Sequence, residues 1–514
     1  MEDFSRFMKP KKRKSRKGRR KLKKQLGGRA KPAPANVGGD GVPQSAPMVR
    51  PIDTKTTVVP EELELDWVPP VQSDIVSKRT HPVNPVQGNT TDMDAYEFEI
   101  ISGTKWIGLN NLETDLHVKY VTLDGQDLDA AAIVDQAEEN NPGTGYRLSI
   151  PETNTFHSIW SMVEITLNNT VLKIPLYHYH IFAFIRTFMS TGQKDFDMSF
   201  YEKMYEHDLN RAQQIAAGQN HETAYPGKVK RIRFLSAASG VVHMRATFYH
   251  PLLEQMKLLP PTNMLRLAIK KVDNRAAMNG PVHTRPMITK IKMDVEKNKL
   301  TPEAEARLRK YRIIRYPVIM YHEFTRILNR GIREYEDYNM YVGAKLPTHM
   351  FAVILRNEAF SGSYEHSCLN FESLHLDKFS LKIDGDDFPS PHGYVDMNMG
   401  AEITLTSRKN MKAYHAFMNA VQKMHPYIDF RLTYEEWATK GNTIFFFDLT
   451  NSQKFSGLDP SVTDESKSGI PLGVNLKFNE DLEHTYTLLM FAGFDETVKL
   501  DQVGHTCTYS WKNQ

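Results

Sequence analysis

Cysteine is nearly absent: the 514 residues contain 2, Cys368 and Cys507. That is too few for a disulfide framework or a multi-cysteine metal site, and fits a reducing compartment or inert buried thiols. Long apolar runs are also missing. No stretch reaches the ~18 residues that would span a membrane, and no apolar run follows the charged N-terminus as it would in a secretory signal. The sequons Asn89-Thr90-Thr91 and Asn168-Asn169-Thr170 are accordingly read as chance. No glycine-rich loop followed by lysine is present to cradle phosphate, and no helical pair of metal-binding histidines. Helical periodicity is scarce.

What the sequence does have is a charge split. Residues 1–31 contain 15 Lys and Arg against 2 acids, a net +13. The whole chain is +4, so residues 32–514 carry the difference, −9. The cations concentrate in "KPKKRKSRKGRRKLKK": Lys9, Lys11, Lys12, Arg13, Lys14, Arg16, Lys17, Arg19, Arg20, Lys21, Lys23 and Lys24. Neutralising phosphates needs density of charge rather than geometry, so this block is the candidate nucleic-acid-binding or nuclear-import element. The bland alternative is a solvated charge run, yet so many like charges repel one another without an anionic partner. Tail aromatics are Phe4 and Phe7 alone, which does not indicate base stacking. A Gly/Pro/Ala-rich stretch follows, with little to bury against its ordering entropy. Residues 1–90 are thus expected to be a disordered arm, in which "LELDWVPPV" could dock on a neighbouring surface, and the globular part to start near Asp92.

Beyond the arm, period-2 alternation dominates. Val242, Met244, Ala246 and Phe248 alternate with His243, Arg245 and Thr247. Phe379, Leu381 and Ile383 alternate with Ser380 and Lys382, and Val474, Leu476 and Phe478 with Asn475 and Lys477. Such runs put one strand face on a core and the other toward water. "TIFFFDL" (443–449) is continuous and reads as a strand buried on both faces; "HTYTLLMFAGF" (484–494) is another long strand. Helical spacing marks 177–192, 195–218, 301–311 with Pro302 in its first turn, and 411–424 with Tyr414, Phe417, Met418, Val421 and Met424 on one stripe. Each half runs from strands into one short helix and back to strands. The expected class is mainly β: two tandem β-sandwiches, residues 91–345 with helical insertions and residues 346–514.

Catalytic patterns are weak. His178 and His180 in "YHYH" have no evident third ligand, and the segment reads as aromatic packing at a helix start. "DGDDF" (384–388) lacks a calcium loop's length and closing Glu and suits a turn between strands. His505 and Cys507 would share a strand face, but no orienting group or oxyanion hole accompanies them. No metal site, cofactor or catalytic residue is nominated, and the chain is not expected to be an enzyme. A sandwich glycosidase would need two carboxylates facing across a cleft; acids are plentiful, but no local pattern singles out a pair.

Several stretches carry a family likeness. "FHSIWSMVEITLNNT" followed by "YHYHIFAFIRTFMSTG" resembles the first-half signature of major capsid proteins of the Polinton/Maverick and adintovirus type. His157-Ser158 in a strand, Thr166-Leu167-Asn168 in a turn and Ala183-Phe184-Ile185 in a helix carry it. "LPTHMFAVILRNEAFSGSYEHSCLNFESLHLDKFSLKIDG", with Leu346-Pro347-Thr348 and Ala359 to Tyr364, resembles the opening of the second half, and "LTYEEWATKGNTIFFFDLT" and "LGVNLKFNEDLEHTYTLLMFAGFD" continue it. The likeness covers roughly residues 92–500. Segments 195–240 and 275–310 depart from it and read as insertions. The resemblance implies two jelly rolls per chain. It further implies a homotrimer forming a pseudo-hexagonal tile, and an icosahedral lattice with penton or minor capsid proteins around double-stranded DNA. The basic arm would face the packaged DNA, engage nuclear import machinery, or do both, placing the chain in the virion and, during assembly, the host nucleus. The alternative from another class is a non-capsid nucleoprotein with β-sandwich interaction domains.

Overall fold

The computed structural model describes residues 74–88, 92–127, 150–172, 176–206, 241–279, 284–343, 345–399, 411–450 and 469–509, with Gly227, Lys230, Arg231, Phe234 and Leu235 between. The expected arm up to residue 73 lies outside them.

Alternating residues become strands throughout. In chain order these are β1 (Ile75–Val83), β2 (Ala95–Ile101), β3 (Trp106–Thr122), β4 (Ile150–Pro151), β5 (Trp160–Leu167), β6 (Thr170–Leu172), β7 (Val241–Ala246), β8 (Met264–Lys271), β9 (Met278–Asn279) and β10 (Thr284–Leu300). There follow β11 (Ile313–Leu328), β12 (Glu334–Gly343), β13 (His349–Arg356), β14 (Leu376–Ile383), β15 (Asp386–Phe388), β16 (Phe445–Asp448), β17 (Ile470–Phe478), β18 (Tyr486–Asp501) and β19 (Cys507–Tyr509).

Four sheets organise them. One runs β1-β10-β3-β7 and a second β2-β8-β5-β6; a third runs β11-β18-β13-β16, with β19 also on β18, and a fourth β12-β17-β14-β15. Strands β4 and β9 form a separate ribbon. Counting the eight principal strands of each half in chain order, both halves read 1-8-3-6 over 2-7-4-5. Two four-stranded antiparallel sheets wired this way are a jelly roll, and the wiring occurs twice. The helix Tyr179–Ser190 falls between the fifth and sixth strands of the first roll, and Lys412–Met424 at the same place in the second. One hydrophobic core runs through both rolls.

The pairing corrects four expectations. Residues 75–83 are not part of an arm: β1 pairs with β10 along its length. The change of roll does not fall at 345/346, because β11 pairs with β18 and β12 with β17; it falls between Leu300 and Ile313. Segment 275–310 is not an insertion, since β10 fills the second position of its sheet. His157-Ser158 does not lie in a strand: Thr155–Ser158 is a helical turn entered through Asn154 in the left-handed region (φ 61°), and β5 begins at Trp160.

Several other local readings hold, and some are modified. β7 alternates as read, with Val242, Met244 and Ala246 buried and His243 and Arg245 exposed. Phe445, Phe446 and Phe447 are all buried. The helix Pro302–Arg309 starts where Thr301 Oγ1 accepts from the Ala304 N–H (3.2 Å). The helix read over 195–218 is shorter than expected: it runs over Phe196–Lys203 and ends at Met204 in the left-handed region (φ 53°); residues 207–218 lie outside those described. On β14 and β17, Ser380 and Asn475 were read as solvent-facing, yet both are buried. Ser380 donates to Asp387 (2.9 Å), and Asn475 donates to Glu336, so each polar group is covered with its partner in place.

Candidate functional site

The basic residues Lys9 to Lys24 lie outside the described residues, so the geometry begins with the body. The junction of the two rolls is built around helix Tyr179–Ser190. Ten of that helix's 12 residues are buried, which its apolar sequence "YHIFAFIRTFMS" allows. The Phe182 ring lies 4.7 Å from that of Tyr321 on β11 and 5.4 Å from that of Phe491 on β18. Phe188 stacks toward Phe417 of the second roll's matching helix (6.5 Å) and meets Phe430 edge-on (5.4 Å).

A carboxylate fixes the start of this helix. Glu323 on β11 accepts from the backbone N–H groups of Tyr177 and His178 (2.9 Å each) and from His178 Nδ1 (2.6 Å), with its side chain 3 % exposed. Anionic groups are favoured at helix N-termini, but here the anion comes from the other roll. Sequence reading missed Glu323, because no local pattern announces a partner 145 residues away. Deeper in the junction, Tyr321 Oη bonds His349 Nε2 (3.0 Å), and His349 Nδ1 meets Thr348 Oγ1 (3.0 Å). Burial pushes the His349 imidazole down to about 3 and the Tyr321 phenol up to about 12.

The weak catalytic candidates resolve into structure. His178 is the residue before the helix and packs on Phe360 (ring centroids 4.1 Å). His180 is fully buried, and burial lowers its pKa to about 3. Among the described residues no group of three or more His, Cys, Asp or Glu is placed to hold a metal. Asp384 and Gly385 form the two-residue turn joining β14 to β15, both with positive φ (53° and 94°), as such hairpins require. Burial alone would raise the Asp387 pKa, but hydrogen bonds from Lys382, Lys378 and Ser380 together hold it low. His505 and Cys507 do not share a strand face: His505 is exposed in a turn (φ 49°), whereas Cys507 is buried, with its thiol pushed up to about 11 by that burial. These residues instead tie the rolls together, as Asn168 Nδ2 donates to the His505 carbonyl (2.8 Å) and Thr170 Oγ1 to that of Cys507 (2.7 Å).

No known protein family matches the sequence, and no curated protein does. Solved structures do resemble the fold. A chain from the cryo-EM structure of the Sputnik virophage aligns over 88 % of this chain and 92 % of its own at 13 % identity, with a TM-score of 0.53. The mavirus major capsid protein aligns over 88 % and 95 % at 9 % identity (TM-score 0.46). The Faustovirus major capsid protein aligns over 84 % and 92 % at 6 % identity (TM-score 0.44). Strand wiring and the virophage alignment agree on the class: the chain is a double jelly-roll protein, mainly β.

Proposed function

We propose that the chain is a viral major capsid protein of the Polinton/Maverick–adintovirus type. Three copies would form a six-roll, pseudo-hexagonal capsomer, and capsomers would tile an icosahedral shell around double-stranded DNA. The observation that carries this reading is the duplicated wiring. Two jelly rolls with the same strand order, a helix at the same connection and a continuous core give one chain two similar corners of a hexagonal tile. We place the rolls at residues 75–300 and 313–509. Lys9 to Lys24 would face the genome, direct nuclear import, or do both, while the acidic remainder would not trap DNA. The function is assembly carried by surfaces rather than by a pocket, within the virion.

The mass of the full chain, and of a chain beginning at Val71, measured by light scattering in low and high salt, tests this. A cut at residue 90 would remove β1 and confuse the result. The expected outcome is a trimer of both proteins in both salts. A monomer that associates only on added DNA would overturn the capsid reading in favour of the nucleoprotein.

A further inference from the structure

Strand β1 carries a charge pattern that its surroundings leave unbalanced. Arg79 and His81 are two apart and share a sheet face. Arg79 sits directly opposite Lys297 on β10, and His81 opposite Val295. Val295 is fully buried, so this face turns toward the core, and cations take it over at the end of the sheet. Lys105, in the turn before β3, brings its Nζ to 3.4 Å from His81 Nε2. Lys297 Nζ donates to the Ile101 carbonyl at the end of β2 (2.7 Å).

Like charges directly opposite on neighbouring strands are destabilising. On the outer face of the same sheet cations meet acids: Lys78 with Glu296, Lys119 with Asp127, Lys292 with Asp115, and Arg245 with Glu113 and Asp294. Arg79, His81, Lys105 and Lys297 have no such carboxylate among the described residues. Burial lowers the His81 pKa, and Lys105, Lys297 and Arg79 lower it further. Burial and then Lys105 do the same to Lys297. Among the described residues, the charged groups that act on these two are other members of the cluster, and all repel.

We propose that Arg79, His81, Lys105 and Lys297 form a binding site for a phosphate group at this end of the first roll. A phosphate is the fitting anion because its several acceptor oxygens and multiple charge match a guanidinium fork and two ammonium groups, where one carboxylate leaves charge over. Free phosphate or polyphosphate and the phosphodiester of a nucleic acid share this chemistry. The site stands independently of the capsid reading.

The test uses the full chain and its Arg79→Gln/Lys297→Gln variant, with Lys105→Gln as a second, milder variant. Thermal unfolding is followed in sodium phosphate and in sodium chloride of equal ionic strength. Phosphate should raise the wild-type Tm by a few degrees and leave the double variant unmoved. In chloride the double variant should melt no lower than wild type, since substitution relieves repulsion. Duplex DNA binding across a salt series then separates the sources, the basic N-terminal block being common to both proteins. A slope of log K on log salt reduced by about 1 to 2 marks a phosphodiester. An unchanged slope with an intact phosphate shift marks a free phosphate; both support the site. A phosphate shift that persists in both variants, or that is absent from wild type, overturns it.

Discussion

The third strand of each roll occupies the same place in the same wiring, yet the two sequences obey different rules. From Leu112 to Tyr120 β3 alternates: Leu112, Leu116, Val118 and Tyr120 are buried, while Glu113, Asp115, His117 and Lys119 face outward. β13 does not alternate: His349 to Leu355 are all buried. The cause is what lies outside. The outer face of β3 carries ion pairs and the His117–His243 stack, with rings 3.8 Å apart. The matching face of β13 is covered by the first roll. Phe445 and Phe447 pack inward on Phe379, whereas Phe446 turns outward to Phe351 and His349, beside the junction that Phe182 enters. A sheet with one wet face needs a period-2 sequence; a sheet in the middle of three layers needs a continuous one.

Alanine at matched outer-face positions tests this contrast most strongly. Phe351→Ala should remove about 3–5 kcal/mol of stability, as expected for a buried phenylalanine, while His117→Ala on β3 should stay within about 0.5 kcal/mol. Denaturant unfolding of the two variants measures both. Similar losses would show that the second roll's outer layer is not packed as described.

Titration gives the next effect. His349 is neutral in the fold because burial depresses its pKa from 6.5 to about 3. A depressed folded pKa means its contribution is complete above pH 6.5 and is lost as pH falls toward 3. At pH 5 the loss is about 2 kcal/mol. His349→Gln should therefore flatten the stability profile between pH 7 and pH 5 by that amount relative to wild type. His117→Gln should flatten it less, because its ring lies on the outer, partly solvated face of β3; burial and then His243 lower its pKa, while Asp115 opposes them.

The same contrast explains what could be read from sequence. Wet-faced strands such as β7 and the continuous runs of β16 and β18 were legible, because period and burial are local properties. β1 was not: it is an edge strand whose "IVSKRTHPV" is largely exposed and includes Pro82, so its membership rests on a ladder with residues more than 200 positions away. Which roll owns β11 and β12 is likewise a matter of partners rather than periodicity. The junction was the least legible region, since Glu323 and His178 become a site only once the rolls meet. Turns were legible in kind, because Asn and Gly announce positive φ, though not in what their side chains hold.

The fourth-to-fifth strand turns carry that last difference. Both have two residues, Asn168-Asn169 in the first roll and Asp384-Gly385 in the second. Asn168 Nδ2 also reaches Asn263 Oδ1 (2.9 Å) and its Oδ1 accepts from Met264 N–H (3.0 Å), besides the His505 carbonyl of the second roll. Asn168→Gly keeps the backbone free to hold its positive φ but removes these bonds. It should cost about 1–2 kcal/mol and raise amide exchange in β19. Gly385→Ala is the purer backbone change. At φ 94° the added methyl meets no atom within 4 Å, so strain alone acts, at about 1 kcal/mol, and exchange should rise in β14 and β15 but not in β19. Equal exchange in β19 for both variants would mean that Asn168 acts only as a turn residue and that the tie between the rolls lies elsewhere.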